Sequence, residues 1–124
     1  MSYTPEHFTV AELACRCGCG LGATWAEYDE ALLRLLDHLR GLLGRPVHVT
    51  SGYRCVAHNR ASGGKPDSEH LIGAAADLVT ADDTERHEML GAAFALHVRR
   101  VGVGRGFVHV GVSRRHPQPR AWLY

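Results

Sequence analysis

The chain has 124 residues, of which 45% are hydrophobic and 22% charged. That is enough for one domain with its own core and too apolar for a disordered segment. A net charge of +1 predicts no strong electrostatic attraction to nucleic acid or anionic membrane. No apolar run reaches the roughly 20 residues that span a bilayer, so membrane insertion is not expected.

The N-terminal stretch MSYTPEHFTV lacks the basic and apolar regions of a signal peptide, and synthesis in the cytoplasm is the expectation. CRCGCG follows, with Cys15, Cys17 and Cys19 closely spaced and a fourth cysteine, Cys55, far along the chain. Three readings stay open for them: a second metal site, one disulfide from the cluster to Cys55, or free thiols.

Thr24 and Glu27 form a capping-box pattern ahead of YDEALLRLLDHLRGLLG. In that run Leu32, Leu35, Leu36, Leu39, Leu42 and Leu43 recur at helical spacing, and Gly44 and Pro46 end it. VHVT (47–50) alternates as a strand, SGYR turns, and VAHNRAS suits a short helical turn. SGGKPDS is a polar loop, and AAADLVT (74–80) reads as a buried strand. Residues 81–96 begin with the possible caps Asp82, Asp83 and Thr84, and Met89, Leu90, Ala93 and Phe94 give a second helix its apolar face. From Arg99 the period falls to two, and RVGVG, FVHVGV and AWLY read as strands. The expected fold is a single α+β domain over residues 1–124, with a mainly antiparallel sheet and two main helices.

Asp77 and His109 each interrupt a strand, and His70 stands at the mouth of the polar loop. A buried carboxylate is costly unless it is paired or bound to a metal. Two imidazoles and one carboxylate around a divalent cation would remove that cost and leave a fourth tetrahedral position open to water. Gly73 and Ala74 to Ala76 would let loop and strand approach the ion closely. The plainer alternative pairs Asp77 with an arginine and satisfies both histidines by hydrogen bonds.

The pattern Ser68, His70, Gly73, Ala75, Asp77 resembles the signature of the M15 zinc peptidases, a group that includes D-Ala-D-Ala carboxypeptidases, dipeptidases and phage endolysins. FTVAEL, then TSGYR with Asn59 and Gly63-Gly64, then FVHV are similar to further family segments and come in family order from Phe8 to Val110. The resemblance implies a hedgehog/D-Ala-D-Ala-peptidase-like fold, a catalytic Zn2+ held by His70, Asp77 and His109, and hydrolysis of D-Ala-containing peptidoglycan amides. It implies that Arg54 binds substrate and stabilises the oxyanion, with Ser51, Tyr53 and Ser68 on the substrate side. The partner it implies is a peptidoglycan stem peptide, reached by a monomer after lysis or from a phage or tail particle. Two positions depart from the family pattern. Phe107 and Gly106 stand where relatives carry a catalytic Glu or His, and Gly111 stands where some carry an acid. The general base is therefore unassigned, with Glu69 the first substitute candidate and His48, His58, His116 and Glu88 behind it.

Overall fold

Five short strands, β1 (Val49–Ser51), β2 (Ala75–Val79), β3 (Arg100–Gly104), β4 (Phe107–Gly111) and β5 (Arg120–Leu123), hydrogen-bond into one sheet. Their spatial order is β1-β2-β4-β3-β5, and every pairing is antiparallel except that of β3 with β5. The computed structural model describes residues 3–124, so the first two residues of MSYTPEHFTV lie outside it. Around the sheet are α1 (Val10–Leu13), α2 (Glu30–Leu43), α3 (Val56–Ala61) and α4 (Asp83–Ala95). The fold is α+β with a mostly antiparallel sheet, as the sequence leads one to expect.

Alternation decides which side of the sheet is core. Ala76, Leu78, Val101, Val108 and Val110 point into one apolar cluster with Leu32, Leu33, Leu36 and Leu39 of α2 and Met89 and Ala93 of α4. Two helix details differ from expectation. Glu27 does accept from the amide and hydroxyl of Thr24, but this box closes a one-turn 3₁₀ helix, Trp25–Glu27. The long helix starts only after Asp29, whose carboxylate accepts the Ala31 amide. The chain bends at Tyr28 because that ring is buried and its hydroxyl donates to the Gly22 carbonyl. The buried faces of α2 and α4 are also turned from what the spacing suggests, since Leu42 and Phe94 are exposed, while Leu33 and Ala92 are buried.

No helix among the described residues is long and apolar enough to cross a membrane.

Candidate metal centre

The strand register builds the site. Asp77 on β2 lies opposite His109 on β4; the same row continues to Ser51 on β1, and through Gly102 on β3 to Trp122 on β5. By alternation these side chains share the face away from the core. His70 reaches that face from a 3₁₀ turn, Glu69–Ile72, whose first turn is capped by the Ser68 hydroxyl accepting the His70 amide at 3.2 Å. Gly73 ends the turn in the left-handed region at φ 67°, where a Cβ would come within 2.7 Å of the Glu27 carbonyl oxygen. Ala74, Ala75 and Ala76 are fully buried behind it. The small spacer is thus what lets the turn and β2 lie against the chain that leads into α2.

His70, Asp77 and His109 each offer a ligand atom within 4.8 Å of the others, and all three are buried. Their protonation explains why the group suits a cation. The His70 Nδ1 is 2.7 Å from the Gly52 carbonyl oxygen, which can only accept, so Nδ1 carries the proton and Nε2 presents a lone pair. That Nε2 has no hydrogen-bond partner and faces Asp77 Oδ1 at 3.3 Å. His109 Nε2 donates to Glu69 Oε2 at 2.7 Å, which turns its Nδ1 toward Asp77 Oδ1 at 3.0 Å. Two imidazole nitrogens and one carboxylate oxygen therefore converge, and a cation between them would take the place of the proton that His109 Nδ1 otherwise shares with Asp77 Oδ1. Burial pushes the Asp77 carboxyl up, yet the hydrogen bond from His109 and the imidazoles of His109 and His70 beside it outweigh this and hold the group far below the usual carboxylate range. Burial lowers the His70 pKa, which keeps that ring neutral and able to ligate.

Glu69 is a buried part of this centre. Its Oε2 accepts from His109 Nε2 and, at 3.0 Å, from Arg100 Nε, while Oε1 accepts the Ser113 amide at 3.2 Å. Burial raises its pKa, but His109 and Arg100 bring it below the ordinary glutamate value. With both oxygens engaged, Glu69 tethers the His109 ring, and a carboxylate so placed fixes the orientation an imidazole needs to bind a metal. Residues 69–72 are a 3₁₀ turn rather than a strand, so Glu69 and its neighbour His70 both reach this centre. Gly111 explains the space: a Cβ there would sit 2.0 Å from Glu69 Oε2. The carboxylate of Glu69 fills the place that a side chain at 111 would need.

The three ligand candidates line a cavity of about 620 Å³. Arg54 stands beside them. Its Nη2 donates to Asp77 Oδ2 at 3.1 Å, its Nε to Ser51 Oγ at 2.8 Å and its Nη1 to Asn59 Oδ1 at 3.2 Å. The arginine pairing and the metal donor set therefore coexist, one on each oxygen of Asp77. Gly64 allows the polar loop to close over this arginine, since a Cβ there would lie 2.1 Å from Asn59 Oδ1. Ser68 is on the cavity wall. Ser51 instead stands behind Arg54, and Tyr53 packs edge-on against Tyr28 at 5.6 Å.

Of the further base candidates, His48 and Glu88 are exposed, with Glu88 paired to Arg45, and His58 is half-buried on α3. His116 does line the cavity, its Nδ1 bonded to Ser113 Oγ at 2.6 Å and its Nε2 to the Asp67 carbonyl. Phe107 lines the cavity too, its ring 4.9 Å from that of Tyr124. Sequence reasoning missed the wall that the C-terminus supplies. Trp122 lies 5.2 Å from the His109 ring and 5.0 Å from the Arg100 guanidinium. The available signal was Gly102: glycine inside a strand marks a close approach, here of the Trp122 indole nitrogen, 2.5 Å from where a Cβ would be. The four cysteines gather at a separate place, Cys15 and Cys55 bracketing the far end of the Gly52–Arg54 segment.

A search of curated proteins finds no match. A family model described as Peptidase M15 matches residues 6–112, which include His70, Asp77, His109 and Arg54. On that match, covering most of its length, the chain belongs to the Peptidase M15 family, a metallopeptidase family.

Proposed function

We propose that this chain is a zinc peptidase that hydrolyses D-Ala-containing amide bonds of bacterial peptidoglycan stem peptides, as a D,D-carboxypeptidase or endopeptidase. The observation that carries the reading is the buried convergence of His70, Asp77 and His109 on the floor of a cavity that also holds Arg54. Zinc, when bound, supplies Lewis acidity for the scissile carbonyl and lowers the pKa of water to about 7. The protein's own residues do the rest. His70 and His109 are held in fixed tautomers by the Gly52 carbonyl and Glu69. Arg54 has five N–H donors and three bound acceptors, so it keeps donors for a terminal carboxylate or a developing oxyanion. Ser68 offers a hydroxyl on the wall, and Trp122 and Tyr124 give one side of the cavity an aromatic face. The protein acts as a monomer on the wall, delivered by lysis or within a phage or tail particle.

A second reading has one specific observation in its favour. Phe107 places an apolar ring two residues before His109, where the resemblance calls for an acid–base group, and Glu69 is fully engaged elsewhere. On that reading the chain binds zinc and stem peptide without cutting. Zinc-loaded protein incubated with a D-Ala-D-Ala peptide and with peptidoglycan, with and without chelator, separates the two. Chelator-sensitive release of amines supports the enzyme; binding of the peptide with no release supports the binder.

A further inference from the structure

The cysteine cluster lies outside the cavity and plays no part in the reaction, yet its geometry is that of a ligand set. The Sγ atoms of Cys15, Cys17, Cys19 and Cys55 all lie within 4.8 Å of one another. Cys15 and Cys17 are 3.4 Å apart, and Cys17 and Cys55 are 3.6 Å apart. Four thiolates bound tetrahedrally at about 2.3 Å from one zinc ion have sulfurs about 3.8 Å apart, whereas a disulfide needs about 2.05 Å and joins only two of them.

The surrounding backbone is arranged for the same purpose. The Cys55 amide donates to Cys15 Sγ at 3.4 Å, and the His58 amide donates to Cys55 Sγ at 3.3 Å. Amide donors of this kind favour the charged sulfur and orient it. Between the cysteines, Gly18 and Gly20 have φ of 78° and 92° with open space around them, so glycine is needed there for the backbone turn alone. Residues 16–21 form no regular element and are exposed, with Cys15 the only buried residue of the knuckle. Arg16 ties one side of this loop to the carbonyls of Ala11, Glu12, Val49 and Thr50, while its outer half, with Cys17 and Cys19, buries little apolar surface.

We propose that Cys15, Cys17, Cys19 and Cys55 bind one structural zinc ion as a tetrathiolate, which staples the N-terminal knuckle to the segment that carries Arg54. The segment from Ser51 to Cys55 is shared by both centres. Ser51 supports Arg54, the Gly52 carbonyl fixes His70, the Tyr53 amide bonds the Leu13 carbonyl at 2.8 Å, and the Arg54 amide bonds the His70 carbonyl at 3.1 Å. Anchoring Cys55 to the knuckle holds this segment at its end.

Cobalt reports the site directly, because thiolate ligation gives an intense sulfur-to-cobalt charge-transfer band that His/Asp ligation does not. Protein purified anaerobically under reducing conditions, stripped of metal and titrated with Co2+ should show that band. Cys19→Ser and Cys55→Ser should each lose it along with one metal ion per chain, while His109→Ala keeps it and loses the other ion. Cys19 is exposed, so its variant folds even where a change at buried Cys15 would not. The absence of the band in wild type, its survival in both serine variants, or an intact disulfide under these conditions overturns the proposal. Since the band is read in the His109→Ala protein as well, failure of the peptidase reading leaves this result unaffected.

Discussion

Replacing Glu69 by Gln tests the tether on His109. The carboxylate accepts three N–H donors on two oxygens: His109 Nε2 and Arg100 Nε on one, the Ser113 amide on the other. A glutamine at 69 has one acceptor oxygen, and its NH2 group must face at least one of these donors. If the oxygen stays with His109 and Arg100, the Ser113 amide is left opposite another donor in a buried setting. One buried donor without a partner costs about 1–3 kcal/mol. At roughly 4 °C per kcal/mol for a chain of this size, the metal-free protein should melt about 4–12 °C lower. Loss of the ionised partner also loosens the His109 ring, and zinc affinity should fall by about 10–100-fold. A competition titration against a chromophoric chelator, with a thermal melt of the apo-protein, measures both. Gly111→Ala should reproduce the effect, because its Cβ would occupy the space 2.0 Å from Glu69 Oε2 and displace the carboxylate. Combining the two changes should then cost little more than either alone. Zinc affinity in Glu69→Gln within twofold of wild type, with an unchanged melt, refutes the assignment of Glu69 as the tether.

The remaining expectations concern the ligands, the arginine and the N-terminal anchor. His109→Ala removes a proposed ligand outright and should lower zinc content at this centre far more than Glu69→Gln does, as metal analysis after gel filtration would show. Arg54→Lys keeps the charge but cannot serve Ser51, Asn59 and Asp77 together with a ligand, so kcat/KM on a D-Ala-D-Ala peptide should fall by roughly 10²–10³ while the metal is retained. Asp37 accepts from the Tyr3 hydroxyl and the Glu6 and His7 amides. Burial pushes its carboxyl up, but those hydrogen bonds lower it below its ordinary value. The stability it contributes is therefore complete above the unfolded pKa of about 3.9 and disappears as pH falls through the lower folded value. Asp37→Asn should lower stability at pH 7 by about 2 kcal/mol and flatten the acid limb of the melting curve; an unchanged acid limb would count against this account.

How much of this could be read in the sequence follows from the range of the interactions. Elements set by local pattern, such as the leucine stripe of α2, the short apolar run of β2 and the alternation in β4, are visible because the pattern itself is the signal. Asp77 and His109 stood out because an ionisable residue inside an apolar strand needs a reason. Boundaries are less legible: the Thr24–Glu27 box caps a separate short turn, and the buried Tyr28 leaves Asp29 to cap the start of α2. The aromatic wall from Trp122 and Tyr124 depends on the parallel docking of β5 beside β3, which no local pattern encodes.

Glu69 and Gly111 show the same limit at the level of chemistry. Read separately, Glu69 is a carboxylate beside a ligand and invites a role as base, while Gly111 is merely an absent acid. They lie 42 positions apart in sequence, but the 3₁₀ turn brings the Glu69 carboxylate over β4 at the place a side chain on residue 111 would fill. The acid has thus been supplied from another element, with its charge shared by His109 and Arg100. A carboxylate held by three donors is poorly placed to take a proton from water, because accepting one would leave a donor unmatched. If the chain cuts peptides as proposed, the group that moves the proton is therefore a residue other than Glu69, to be sought on the cavity wall rather than beside His70.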